Sequence, residues 1–152
     1  MTMKKNSILC IFMLLIIFQV CPENVLAFSS MNVKVEIIKA TKKSNIIDPQ
    51  LKDLANEIAP VLNYTGFKLA KKSEQKLTFG QTSEILLSSK RILKLTFKGF
   101  EENQGRLLVE IMEKKKKVFH TILLLVDKGF VLIGGPLYED GVLLLRVGAE
   151  FD

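Results

Sequence analysis

Cysteine, histidine and tryptophan are scarce in this chain: its 152 residues include two cysteines, one histidine and no tryptophan. Both cysteines, Cys10 and Cys21, precede residue 28, so the remaining chain has no disulfide and no thiol nucleophile. A zinc site needs three or four nitrogen, sulfur or oxygen ligands. With His120 as the one histidine, only carboxylates remain to complete such a set, and the sequence shows no tight carboxylate cluster. We therefore expect no metal and no other cofactor.

Catalytic constellations are also missing. No serine lies in a nucleophile-elbow pattern, and His120 would be the sole base available to a serine hydrolase. The adjacent acids beyond residue 27 are Glu101-Glu102 and Glu139-Asp140, and both pairs lie in glycine-flanked segments typical of solvated turns. A glycosidase instead needs one of its two carboxylates desolvated across a cleft. We interpret His120 as structural and expect that the protein is not an enzyme.

The first residues have the order of a cleavable export signal. Lys4 and Lys5 provide the positive start, Ile8 to Val20 form a short apolar run, and Val25-Leu26-Ala27 ends in a small residue suited to cleavage. The apolar run is shorter than the roughly 20 residues that a membrane-spanning helix needs. This order predicts a secreted protein.

Two regions follow from that prediction. Residues 1–27 are the expected signal peptide, and residues 28–152 are expected to form one globular, β-rich domain, located in the periplasm or outside the cell. Two alternatives stay open. Cys21 would be the lipid attachment site of a lipoprotein, although Val20 is a poor residue before such a cysteine, and the apolar segment would otherwise remain as a signal anchor.

One segment has the pattern of a helix. Asp48-Pro49 is a typical helix start, because aspartate can cap free N–H groups and proline tolerates the first helical position. Pro60 disfavours helical geometry at Ala59. The sequence therefore predicts an amphipathic helix near residues 49–60. Its core-facing stripe comprises Leu51, Leu54, Ala55, Ile58 and Leu62.

Most of the remaining chain alternates apolar and polar residues in short runs, as half-buried strands do. Glu84 to Leu87 is the poorest of these candidates. Val118 to Val126 is apolar on both faces, which is typical of a central strand covered on both sides. Short polar reversals between successive runs favour antiparallel pairing. We expect an α+β fold, mainly antiparallel, with about five to seven strands in a sandwich or partial barrel and the helix over one face.

Lys114, Lys115, Lys116 and Lys117 form the densest charge cluster of a chain whose formal net charge is +6. Four lysines at a chain reversal favour contact with an anionic membrane surface or polymer. Lysines also keep hairpins soluble and discourage edge pairing. Nucleic acid is not an expected partner, since no series of aromatic residues accompanies the basic ones.

Glycine and proline mark a second segment, Gly134-Gly135-Pro136, followed by Gly141. The segment lacks the spacing and the following Lys-Ser/Thr of a nucleotide-binding loop. We interpret these residues as a structural turn: the glycines permit a sharp bend or close backbone approach after a buried strand, and Pro136 stops further pairing.

The chain resembles a group of small exported bacterial proteins that have no assigned activity. The likeness rests on the helix Leu54 to Leu62, the following Tyr64-Thr65-Gly66-Phe67, and a late Gly-Gly-Pro-x-Tyr-x-x-Gly segment containing Tyr138. It covers most of residues 33–149. The resemblance implies an uncharacterised, envelope-associated β-rich domain and supplies no catalytic residues.

The expected function is therefore that of an exported, non-catalytic domain, structural or protein-binding, in the periplasm or cell envelope. Its specific partner is unknown from the sequence, and an envelope protein is one possibility. The alternative is a peripheral binder of anionic lipid or polymer that uses Lys114 to Lys117.

Overall fold

The computed structural model describes residues 29–152, so the predicted signal peptide, with Cys10 and Cys21, lies outside the described residues. One α-helix, α1, spans Lys52–Leu62 after a 3-10 turn at Pro49–Leu51. The strands, in chain order, are β1 Ser30–Thr41, β2 Gly66–Thr78, β3 Thr82–Ser88, β4 Arg91–Glu101, β5 Gln104–Glu113, β6 Lys116–Val126, β7 Phe130–Tyr138 and β8 Gly141–Phe151.

The strands form two antiparallel sheets of four. The first sheet has the order β2-β1-β8-β7, and the second has the order β3-β4-β5-β6. The chain moves from the first sheet to the second after β2, and it returns after β6. This confirms the predicted mainly antiparallel α+β fold and makes it a sandwich. The eight strands among residues 29–152 exceed the expected five to seven, and Glu84 to Leu87, the poorest candidate, is part of the full strand β3.

The core lies between the two sheets. Alternate residues of the central strands are buried there, including Val35 and Val147 from the first sheet and Leu95 and Val109 from the second. Burial of one such aliphatic side chain contributes about 1.5–3 kcal/mol. The period-two alternation recognised in the sequence therefore places one face of each strand in this core.

The helix α1 covers part of the outer face of the first sheet. Leu51, Leu54 and Ala55 pack with Ile38, Phe67 and Leu144 in a second apolar cluster. The predicted apolar stripe is therefore confirmed. No equivalent helix covers the outer face of the second sheet within residues 29–152, since α1 is the one α-helix described there.

Both predicted ends of the helix need correction. The Asp48 side chain makes no cap hydrogen bond, because its carboxylate accepts a hydrogen bond from the Leu69 backbone N–H at 2.8 Å instead. The helix also continues through Pro60 to Leu62, and Asn63 ends it in the left-handed region with φ 54°. Pro60 lacks only one hydrogen bond near the last turn, where its exposed side lets water satisfy the freed carbonyl.

Candidate functional site

The hairpin between β5 and β6 presents the four lysines at one end of the sandwich. Lys114 and Lys115 are the two turn residues, and both have positive φ, 46° and 69°. Positive φ at both central residues is the geometry of the tight turn that matches the strand twist, and asparagine or glycine usually occupies it. Residues Lys114–Lys117 are called the lysine hairpin below.

The four lysines have different surroundings. Lys117 forms an ion pair with Glu110 on the neighbouring strand β5. Lys116 lies opposite Glu113 in the strand register. Within residues 29–152, Lys114 and Lys115 have no ion-pair partner and are exposed at the tip. Glu113 forms its ion pair with Arg91, so among the described residues only Lys117 of the lysine hairpin has an ion-pair partner, and three of the four charges are uncompensated.

Strand β6 continues from the lysine hairpin and carries an exposed apolar row. Val118, Ile122, Leu124 and Val126 are 54%, 48%, 50% and 52% exposed. His120 lies between them, also exposed, and is opposite Glu110 in the register. Soluble proteins rarely expose contiguous apolar side chains, and such patches mark interaction sites.

One edge of β6 is open. The strand pairs with β5, and no strand among residues 29–152 pairs with its other edge, because β7 belongs to the first sheet. The prediction that Val118 to Val126 forms a central strand covered on both sides is therefore wrong. The segment is apolar on both faces, yet only the inner face packs in the core. We call the open edge together with Val118, Ile122, Leu124 and Val126 the β6 surface.

On the opposite side of the sandwich, lysines protect an edge strand against the addition of another strand, whereas the β6 surface has no such protection. There β2 is the edge strand of the first sheet, and four of its lysines, Lys68, Lys71, Lys72 and Lys76, are exposed. Charged side chains, lysine above all, discourage the addition of another strand to an edge. Between Val118 and Val126, β6 has no charged residue other than the titratable His120.

The outer face of the first sheet is occupied by mutually compensating charges. The Arg146 guanidinium donates a hydrogen bond to Glu36 at 3.0 Å and lies over the Phe130 ring, 4.1 Å from its centre. The Lys34 ammonium donates to Glu150 at 2.9 Å. That hydrogen bond and the charge of Glu150 raise the pKa of Lys34 above its ordinary value. Arg146 and Lys34 therefore each have a carboxylate partner on the same sheet.

The glycine–proline segment lies in a β-bulge. The register between β7 and β8 shifts between Gly134 and Leu137, and pairing resumes at Leu137↔Val142 and Tyr138↔Gly141. The expectation that Pro136 stops further pairing is therefore wrong. Proline is tolerated because β7 is an edge strand and the bulge removes the need for its missing N–H.

Beside this bulge, a cleft of about 390 Å³ separates the β7–β8 turn from the loop after β1. Two ion pairs connect the loop with the turn, Lys43 with Asp140 at 2.6 Å and Lys39 with Glu139 at 3.6 Å. The Lys39 ammonium also lies 4.2 Å from the centre of the Tyr138 ring. These contacts join the loop to the turn, so the cleft is better explained as a structural junction.

The remaining candidates are dispersed. Glu101 ends β4, and Glu102 lies in the following turn with φ 53°, while Glu139 lies in the β7–β8 turn with φ 50°. In the described part of the chain, no three histidine, cysteine, aspartate or glutamate side chains lie close enough to hold a metal ion. No helix among the described residues has the length and apolar character needed to cross a membrane.

Comparison with protein family models, with curated proteins and with solved structures found no match. The candidate site therefore rests on geometry alone. The sequence pattern identified the lysine hairpin, and it missed the β6 surface. The available signal was the contrast between the lysine-rich β2 and the nearly uncharged Val118 to Val126.

Proposed function

We propose that this chain is an exported, non-catalytic domain that binds another protein in the periplasm or cell envelope through the β6 surface. One observation carries the proposal: β6 combines an open backbone edge with four half-exposed apolar side chains. Unpaired N–H and C=O groups along an edge form a template for another strand. A protein partner forms hydrogen bonds with the backbone groups and covers the apolar row.

Charges on the same sheet favour a protein over a lipid bilayer. Lys94 forms an ion pair with Glu84 at 2.6 Å, and Lys117 pairs with Glu110, so charged groups cross the outer face beside the apolar row. Inserting this face into hydrocarbon would remove both pairs from water, which costs several kcal/mol per ion. A protein partner leaves them hydrated at the rim of the interface.

The test is cross-linking in the native cells followed by mass spectrometry. We expect Ile122→Thr with Leu124→Thr to abolish the cross-links that wild type forms, because threonine keeps the β-propensity and removes the apolar contact. Leu86→Thr is the matched control, since Leu86 is 57% exposed on the other edge strand of the same sheet. Equal cross-links in all three proteins would contradict the proposal.

Export is a separate part of the proposal, supported by the leader-like order of residues 1–27. We expect the mass of the protein recovered from the native cells to correspond to a chain without these residues. Recovery of an intact Met1 would contradict cleavage, and a lipid-modified Cys21 would indicate the lipoprotein alternative.

A second candidate function is peripheral binding of an anionic surface through the lysine hairpin. It is supported by the exposure of Lys114 and Lys115 in a backbone conformation unusual for lysine. Each lysine near an anionic membrane contributes about 1 kcal/mol, so two of them give only a weak attachment. Co-sedimentation with phosphatidylglycerol vesicles at low salt tests it: Lys114→Gln with Lys115→Gln should abolish any binding, and Lys128→Gln should not.

A further inference from the structure

We infer that the partner segment recognised by the β6 surface is an extended, apolar stretch with an acidic end, added antiparallel or parallel as a fifth strand of the second sheet. The inference rests on the proposed function and specifies the chemistry of its partner. The observations behind it are the backbone edge, the apolar groups on both sides of that edge, and the positive charge of the lysine hairpin at its start.

The edge is long enough to hold a strand. β6 spans 11 residues, which exceeds the usual strand length of about five or six. Added strands obtain affinity from main-chain hydrogen bonds and specificity from alternate side chains. Because β6 pairs only with β5 in the described part of the chain, its second set of backbone groups faces solvent.

An added strand would meet apolar groups on both of its faces. On the outer face it would lie beside Ile122 and Leu124. On the inner face it would lie beside Phe119 and Leu123, which pack against the core and are only partly buried. The middle of the partner segment is therefore apolar on both faces.

The start of the edge is basic, whereas its end has mixed charge. Lys114 and Lys115 lie at the start of β6, and Lys128 follows its end in an exposed turn with φ 59°. Acids accompany Lys128 there: Asp127 accepts a hydrogen bond from the Phe151 N–H at 2.9 Å, and Glu150 lines the same cleft as Lys128. Complementary charge at the lysine hairpin belongs to aspartate or glutamate on the partner.

A second copy of this chain complements the lysine hairpin less well than an acidic segment does. Two-fold symmetry would align two β6 strands antiparallel, so the lysine hairpin of each copy would lie beside the mixed charges of Asp127 and Lys128 in the other. A segment with a purely acidic end places only opposite charges beside the lysines.

The experiment measures fluorescence anisotropy of labelled synthetic peptides with the purified full chain. The probe has alternating valine and isoleucine over about ten residues, so that both faces are apolar, and three glutamates at one end. Two controls replace the glutamates by glutamines or by lysines. We expect binding in the order glutamate, glutamine, lysine, with the difference reduced at high salt. The double variant Lys114→Gln with Lys115→Gln should bind the glutamate peptide about tenfold more weakly than wild type does. Its affinity for the glutamine peptide should be unchanged.

Backbone methylation tests strand addition directly. Two further glutamate peptides carry N-methyl groups on alternate amides, one on the odd and one on the even positions. Strand addition predicts that one set abolishes binding and the other does not, because only alternate N–H groups point to the edge. Equal effects of the two sets would overturn strand addition.

Other outcomes overturn the inference and leave the proposed function standing. Equal affinity for the glutamate, glutamine and lysine peptides would show that the partner segment needs no acidic end. Failure of every peptide, with cross-links in cells still lost in Ile122→Thr with Leu124→Thr, would mean that the β6 surface binds a folded partner. A dimer in sedimentation equilibrium that this double variant dissociates would identify a second copy. If the cellular cross-links persisted in Ile122→Thr with Leu124→Thr, this result would contradict the proposed function itself.

Discussion

Gly141 has the closest backbone approach among the residues of the glycine–proline segment. A Cβ atom at this position would lie 1.9 Å from the Ala40 carbonyl oxygen. That oxygen belongs to β1, which pairs with β8 at Thr41↔Gly141. Neither neighbour is the end of a flexible side chain, so the backbone itself would have to move. The glycine is needed here for space.

Gly141→Ala should therefore lower the free energy of unfolding by about 2–4 kcal/mol, because the added methyl group forces β1 and β8 apart. The measurement is urea denaturation followed by circular dichroism. Gly134→Ala is the matched control, since a Cβ there meets nothing within 4 Å. A comparable loss of stability in both variants would refute the spatial explanation.

The lysine turn stores backbone strain. Lys114 and Lys115 both have positive φ, which costs a residue with a side chain about 1 kcal/mol or more. Lys115→Gly should thus raise the free energy of unfolding by about 1 kcal/mol. Lys90→Gly, in the β3–β4 turn where φ is not positive, should lower it by about 0.5 kcal/mol instead. Destabilisation by Lys115→Gly in thermal denaturation would contradict this geometry.

A third prediction at residue scale concerns Lys34. Its pKa is raised, first by the hydrogen bond to Glu150 and then by the charges of Glu150 and Glu74. Glu150→Gln should lower the pKa of Lys34 towards its ordinary value of 10.5, as followed by NMR of the lysine side chain. Glu74→Gln should lower it less, because the Glu74 carboxylate is 3.7 Å from the ammonium and that of Glu150 is 2.9 Å away.

The sign of the linked stability follows from this shift. A raised pKa in the folded state means that the ion pair stabilises the fold fully below the ordinary pKa of lysine. The contribution is lost as the pH rises through the raised value. The difference in stability between wild type and Glu150→Gln should accordingly be constant near neutral pH and vanish in strongly alkaline solution. A difference that persists there would exclude this ion pair as its source.

At the scale of elements, helix α1 shows that sequence periodicity specifies which residues face the sheet, whereas tertiary contacts influence where the helix begins. The apolar spacing predicted which residues face the sheet, and the second apolar cluster confirms it. The N-terminal boundary differed because it depends on a distant contact, whereas the C-terminal boundary differed because Pro60 is tolerated near the last turn. The Asp48 carboxylate accepts a hydrogen bond from the Leu69 N–H of β2, and no local rule for helix caps includes such a distant donor.

Leu54→Ala should lower the free energy of unfolding by about 2–4 kcal/mol, because it leaves a cavity between α1 and the first sheet. Val61→Ala, on the same helix but 80% exposed, should change it by less than about 0.5 kcal/mol. Chemical denaturation of both variants provides the comparison. If Leu54→Ala were as mild as Val61→Ala, the helix would not be packed on the sheet.

Strand β6 is the element for which the sequence was most misleading. Apolar residues on both faces usually indicate a strand covered on both sides. The pattern records only that the side chains are apolar, and it carries no information about which neighbour covers them. The lysine hairpin, in contrast, was predictable in position, although the ion pair of Lys117 with Glu110 and the register of Lys116 with Glu113 depend on the paired strand.

At the scale of the whole molecule, central and edge strands differ in how many of their backbone groups are paired. β1 and β8 each have two paired neighbours, whereas β6 has one in the described part of the chain. Hydrogen–deuterium exchange measured by NMR should therefore protect consecutive amides along β1 and β8. Along β6, protected and rapidly exchanging amides should alternate, since only every second N–H faces β5. Uniform protection along β6 would show that its open edge is paired.

The contact between Ser29 and Asp152 also matters at this scale. Ser29 and Asp152 are joined by a backbone hydrogen bond of 3.1 Å, at the end of the sandwich where β6 finishes. The lysine hairpin lies at the opposite end, near Leu137, whose carbonyl oxygen accepts a hydrogen bond from Arg91. The β6 surface runs between the two ends and is accessible along its length.

By itself, the sequence determined the strand-rich antiparallel class, the position of helix α1 and the place of the lysine reversal. These features depend on local periodicity and turn chemistry, which neighbouring residues specify. Only the tertiary structure decided that β8 lies between β1 and β7, that Pro136 occupies a bulge, and that β6 is an edge. Strand order arises from pairing between residues far apart in the chain, so no local pattern contains it.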